Sequence, residues 1–249
     1  MTPLAEVAAR ILARPAPVIV SDTCSLLDLF RVARPTKEAE ERRIEVEELK
    51  AASKLLAALT LPEPPFHHVV PELVPGEFRD NAEIRVTDPF RRWVDAHDAA
   101  GGWIPKAVAA AGLDIVGPIV VPIGPQNLPA QFRDFAMRLL GTATILARDL
   151  PSLLRAVERV IGKRRPSHKK EMKDSMNLEQ MLALARLLSE SVPFPHPIVF
   201  VSSNTKDFAA ANGIDIHPDL KADFDTAGLL YRTSFRSALG LLVPVPPGS

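Results

Sequence analysis

A single cysteine, Cys24, stands in the 249 residues. That scarcity excludes an intrachain disulfide and a cysteine-rich zinc site, and it fits a reducing compartment. Net charge is missing too: thirty basic and thirty acidic residues cancel. No global field draws in nucleic acid, so any such binding has to come from a local patch. No run of about 18 or more uncharged apolar residues occurs, which leaves no candidate for a membrane-spanning helix. Arg10 and Arg14 interrupt the first twenty residues, which therefore lack the apolar segment and cleavage site of a signal peptide. The expectation is a soluble, cytoplasmic protein without a membrane partner. The glycine-rich patterns GxGxxG and GxxxxGK[ST] are absent, as are HxxxH and CxxC, so dinucleotide, P-loop and common zinc sites lack support. Cys24 also misses the phosphatase loop spacing, because Phe30 stands where an arginine is needed and Arg31 is one residue too far.

What the chain does have is alternation of strand and helix. VIV (18–20), HHVV (67–70) and IVFVSS (198–203) are short β-branched or apolar runs of the kind that fill buried strands. Helices are expected over 3–13, from Ser25 onward, over 37–59, in pieces over 75–100 with breaks at Pro89 and Gly101-Gly102, and over 129–147, 151–162, 171–190 and 222–242. The proline- and glycine-rich stretch 118–129 reads as an irregular connection. Strands alternating with helices imply parallel pairing through right-handed crossovers. The expected fold is thus α/β, an α/β/α sandwich with a central parallel sheet. One domain covers 1–249, with a mostly helical insertion at about 79–165 and a flexible tail at 244–249.

Carboxylates fall where strands feed helices. Asp22 follows the first strand, Glu77 follows the second, Asp174 opens a late helix, and Asp207 lies in the turn after the last strand. Each could be a cap or a turn residue taken alone. In an open parallel sheet, however, ligands bind in the crevice outside the carboxyl ends of the strands, and all four point there. Two carboxylates about 4 Å apart repel by roughly 4 kcal/mol at an effective dielectric of about 20. A cluster of them calls for a cation, and oxygen ligands with room for water suit Mg²⁺ or Mn²⁺. Such an ion lowers the pKa of a bound water and orients a phosphate, which is the chemistry of phosphodiester hydrolysis.

The same segments resemble the PIN-domain nucleases: IVSDTCSLLDLF (19–30), VPELVPGEF (70–78), KDSMNLEQMLALA (173–185) and SSNTKDF (202–208). The resemblance covers roughly 17–80 and 168–220. It implies a compact α/β/α sandwich, dependence on Mg²⁺ or Mn²⁺, and cleavage of single-stranded RNA. By the same resemblance Asp22, Glu77, Asp174 and Asp207 are metal-binding carboxylates, and Asn204 completes the catalytic set. Glu72 lies close to Glu77 in sequence and competes for its role. Asn204 stands where many relatives carry aspartate, which leaves the number of metal ions open.

Thr23 and Ser203 flank these carboxylates and are candidate substrate contacts. A basic stretch precedes Asp174: between Arg155 and Lys173, eight basic residues face two acidic ones, a local charge of +6. Within it Lys163, Arg164, Arg165, Lys169 and Lys170 form a candidate phosphate-binding rim, since backbone charge dominates nucleic-acid affinity. The function expected is a metal-dependent endoribonuclease acting on RNA, with the 79–165 segment available to a second copy or a protein partner. Two alternatives stand beside it. A haloacid-dehalogenase-like phosphatase also ends its first strand on aspartate but wants a second two residues later, where this chain has Cys24. A non-catalytic α/β binding module is the other.

Overall fold

A computed structural model describes residues 1–29, 46–110, 127–166, 172–190 and 193–242. The expectations for 37–45, 118–126, the 244–249 tail, Lys169 and Lys170 lie outside the described residues.

Five parallel strands form one sheet: β1 (Val18–Ser21), β2 (His67–Pro71), β3 (Thr144–Leu146), β4 (Ile198–Val201) and β5 (Leu229–Arg232), in the order β3-β2-β1-β4-β5. The register pairs Val18 with both His67 and Ile198, and Ile198 with Leu229, so the strands end nearly level. Strand alternation splits the apolar side chains between two faces. On one face Ile19, Val70, Val199 and Val201 pack under α2 (Thr23–Asp28), α3 (Val46–Leu59), α4 (Leu73–Asn81), α6 (Leu128–Gly141) and α11 (Phe235–Leu242). On the other, Val18, Val20, Val69, Leu146, Ile198 and Phe200 meet α1 (Leu4–Ala13), α8 (Met172–Leu188) and α10 (Pro218–Ala227). The result is a central all-parallel sheet flanked by helices on both sides. No described helix is long and apolar enough to cross a membrane.

Three elements depart from the sequence reading. The expected helix over 129–147 ends at Gly141, and Thr144–Leu146 becomes the edge strand β3. The 79–165 segment therefore contributes to the sheet itself, and its extra helical part narrows to the stretch before β3. The expected closing helix is broken at Gly228, whose φ of 66° ends α10 in the left-handed region and lets β5 begin. Pro89 does not break the helix near it: it stands at the start of α5 (Asp88–Ala110), just where the preceding segment changes from i−5 bonding to α-helix. That helix also runs through Gly101-Gly102, and a π-helical segment (Ala82–Thr87) joins it to α4.

One helix is turned inside out. α7 (Leu150–Ile161) buries Ser152, Ala156 and Arg159 while leaving Leu150, Leu154 and Ile161 exposed. Its inward face is tied down by charge: Arg155 and Arg159 both reach Glu179 of α8, and Arg159 Nη2 lies 2.5 Å from Asp223 Oδ2 of α10. The side chains of Arg159 and Glu179 are each only 3% exposed.

Candidate active site at the carboxyl edge of the sheet

The site starts from the ladder. Asp22 continues β1 by one more backbone bond, its N–H donating to the Val201 carbonyl at 3.0 Å. Its carboxylate then turns back to cap α2, accepting from the Thr23 N–H at 2.8 Å. The capping expectation and the site expectation thus describe the same residue. Across the β1–β4 pair, Ser202 donates from Oγ to Asp22 Oδ2 at 2.7 Å. Ser202 itself is fixed by its N–H to the Arg232 carbonyl and by the Tyr231 hydroxyl, which donates to the Ser202 carbonyl at 3.0 Å.

Glu77, one turn into α4, is brought to the same point. The Thr23 hydroxyl donates to Glu77 Oε2 at 2.9 Å, so one residue contacts both carboxylates. Lys173 Nζ lies 3.6 Å from Glu77 Oε1. Glu72 goes elsewhere: it accepts from the Arg148 N–H at 2.7 Å and from Arg148 Nε at 2.8 Å, tying β2 to the turn after β3. Of the two glutamates, Glu77 is the one beside Asp22.

Burial pushes the Asp22 carboxyl up from 3.8 to about 6, and the neighbouring charge of Glu77 adds to the rise, against the lowering by Ser202 and Thr23. The same burial, with the charge of Asp22 contributing, pushes the Tyr231 phenol up. Asp22 is only 6% exposed and is held by neutral donors beside a second carboxylate. An ionised carboxylate in that setting is short of positive charge.

The remaining expected residues are placed less centrally. Asp174 lies half-buried in the first turn of α8, next in sequence to Lys173. Asn204 and Asp207 pair with each other, Asn204 Nδ2 donating to Asp207 Oδ2 at 2.8 Å, around the short helix α9 (Thr205–Phe208). Asn204 is linked to Asp22 through Ser202, whose Oγ accepts from the Asn204 N–H at 3.2 Å. Among the described residues, no group of three or more His, Cys, Asp or Glu side chains is gathered to hold a metal ion. Four converging carboxylates were expected, and the adjacent pair is Asp22 and Glu77. Two carboxylates beside buried hydroxyls still fit a Mg²⁺ or Mn²⁺ that keeps much of its water and takes substrate phosphate for further ligands.

Within the basic stretch Arg155, Arg159 and Arg165 are committed internally, while of the expected rim Lys163 and Arg164 stay exposed and Lys169 and Lys170 lie outside the described residues. Arg155 and Arg159 face Glu179, Arg164 lies 3.6 Å from Asp223, and Arg165 Nη1 donates to the Lys206 carbonyl at 2.6 Å. Arg165 thereby braces the turn that carries Asp207. Lys163 and Arg164 remain exposed. Ser203 is half-buried beside the site, its carbonyl accepting from the Thr205 N–H at 2.9 Å.

The motif reading passed over Ser202 in favour of Ser203. Strand alternation was the available signal: Ser202 shares the face of Ile198 and Phe200, the face to which Val18 and Val20 also belong. A separate pocket, lined by Phe194, His196, Ile198 and Gly228, lies at the opposite, amino-terminal edge of the strands and has no part in this arrangement. Comparison with protein-family models, with curated proteins and with solved structures finds no match for the chain.

Proposed function

We propose that this protein is a metal-dependent endoribonuclease that hydrolyses RNA phosphodiesters, in the manner of the PIN-domain nucleases its motifs resemble. The observation that carries the reading is the buried Asp22 carboxylate, held by Ser202 and Thr23 beside Glu77 at the carboxyl edge of a parallel sheet. Asp22 and Glu77 would hold a Mg²⁺ or Mn²⁺ ion, which supplies an activated water and stabilises charge on the phosphate. Ser202 fixes the Asp22 oxygen from one side, and Thr23 fixes Glu77 from the other, so neither carboxylate is free to swing out of place. Lys173 stands at the rim beside Glu77, where a phosphate would approach. Asn204 and Asp207 border the same edge, Asp174 would join them from α8, and Lys163 and Arg164 are exposed cations of the described residues that could meet an RNA backbone.

The test is cleavage of a single-stranded RNA in Mn²⁺ and in EDTA by the wild type, Asp22→Asn and Glu77→Gln. Cleavage by the wild type in Mn²⁺ alone, with both variants inactive, is expected. Equal activity in EDTA, or in Asp22→Asn, would refute the assignment. A second reading, a non-catalytic cation-binding module, draws on the pairing of only two described carboxylates. It predicts stabilisation by Mn²⁺ without any cleavage.

A further inference from the structure

α8 carries Lys173, Asn177 and Gln180 at positions i, i+4 and i+7, one polar face of the helix. Both ends of that face have known destinations. Lys173 reaches Glu77 at 3.6 Å, and Gln180 Nε2 donates to the Ala147 carbonyl, just past β3, at 3.0 Å. Asn177 lies between them, on a helix that packs against α4 and β2. Its side chain therefore enters the crevice beside Glu77 at the carboxyl ends of β2 and β3. Asn177 is 3% exposed, yet among the described residues neither Oδ1 nor Nδ2 has a hydrogen-bond partner, and Gln180 Oε1, one turn along the helix, has none either. Buried polar groups are nearly always bonded, to protein or to ordered water, so an amide with both ends open marks a place for a bound species.

We propose that Asn177 is a positioning residue of the acidic pair: its amide anchors water in the hydration shell of the cation held by Asp22 and Glu77. The inference rests on the metal-site reading above. Mg²⁺ and Mn²⁺ bound through two carboxylates keep several waters, and those waters need fixed partners. Asn177 offers one acceptor and two donors without charge, so it steadies water without adding to the repulsion between Asp22 and Glu77. Outer partners of this kind change metal affinity by about 10–100-fold. A purely structural role predicts lost stability with unchanged affinity, whereas an unpartnered buried amide is better replaced by an apolar side chain of similar shape.

The experiment is calorimetric titration of the full chain with Mn²⁺ alone, paired with thermal melts of the ion-free protein. Asn177→Leu is expected to melt at or above the wild-type temperature while binding Mn²⁺ about 10–100-fold more weakly. Asn177→Val, shorter than leucine and equally without a polar group, is expected to bind Mn²⁺ as weakly; it decides the matter if the leucine variant does not fold. Wild-type affinity in both variants overturns this proposal and leaves the acidic pair intact as a metal site. No Mn²⁺ binding by the wild type overturns both together.

Discussion

Two carboxylates are buried in this molecule to nearly the same degree, Glu179 at 2% exposure and Asp22 at 6%, and they live in opposite electrostatic worlds. Glu179 accepts from two guanidinium groups, and Arg159 continues to Asp223, so α7, α8 and α10 are joined by charges that match. Asp22 is held by a hydroxyl and backbone N–H groups and has a second carboxylate for a neighbour. The first cluster is complete within the fold. The second, even with Lys173 beside Glu77, keeps an excess of negative charge, and that imbalance is what the proposed cation site rests on.

The contrast is broken most severely by Arg159→Met. It strands Glu179 in the interior with Arg155 alone, and a loss of about 3–5 kcal/mol is expected in urea melts. A loss under about 1 kcal/mol would mean the network is loosely held. A smaller effect comes from His68, buried between the Ser21 and Thr142 hydroxyls at 2.9 Å each and held down by burial from 6.5 to about 4. Between those values the unfolded chain takes up a proton that the folded protein refuses. Stability therefore rises with pH across that window and is lost, by about 3 kcal/mol in all, as pH falls through it. His68→Gln removes the titration, so the gap between variant and wild type should change with pH from 7 to 4. A constant gap would show that His68 takes up a proton in the fold as readily as in the unfolded chain.

The glutamates sharpen the comparison at the site itself. Glu72→Gln loses a half-exposed pair with Arg148 and should cost no more than about 1 kcal/mol, with RNA cleavage unchanged. Glu77→Gln should abolish cleavage at similar stability. The reverse pattern in a cleavage assay would exchange their roles. Smallest of all, changing Lys163 and Arg164 to serine should reduce the salt dependence of RNA binding by about 0.7 in log–log slope per lost contact. An unchanged slope would show that these exposed cations do not touch the backbone.

The central strands were readable because fully buried parallel strands are continuous apolar runs, as VIV and IVFV are. β3 was hidden because three residues following a helix are too few to show a period. β5 was hidden because Tyr231 continues the helical spacing of Phe224 and Ala227, although Gly228 stood as a stop signal. Asp22 and Glu77 were legible as carboxylates following strands. Ser202 was legible only through alternation. Asn177 was not legible at all, since a polar residue inside a helix reads as surface until the packing of α8 is known. The arginines of α7 misled for the same reason: their partners Glu179 and Asp223 are distant in sequence, and the helix carries its leucines outward.

The claim that Asp22 lacks its counter-charge is tested most directly by melting the wild type and Asp22→Asn, with and without Mn²⁺, at pH 5 and pH 8. Between 3.8 and about 6 the folded protein retains a proton on Asp22 that the unfolded chain has released. Stability from this group is thus lost as pH rises through that window, and at pH 8 the ionised carboxylate costs the fold up to about 3 kcal/mol. Ion-free Asp22→Asn should therefore melt roughly 5–10 °C above the wild type at pH 8 and about half as far above it at pH 5. Mn²⁺ should raise the wild type at pH 8 and leave the variant unmoved. A wild type that gains nothing from Mn²⁺, or an Asp22→Asn variant less stable at pH 8, would contradict the account.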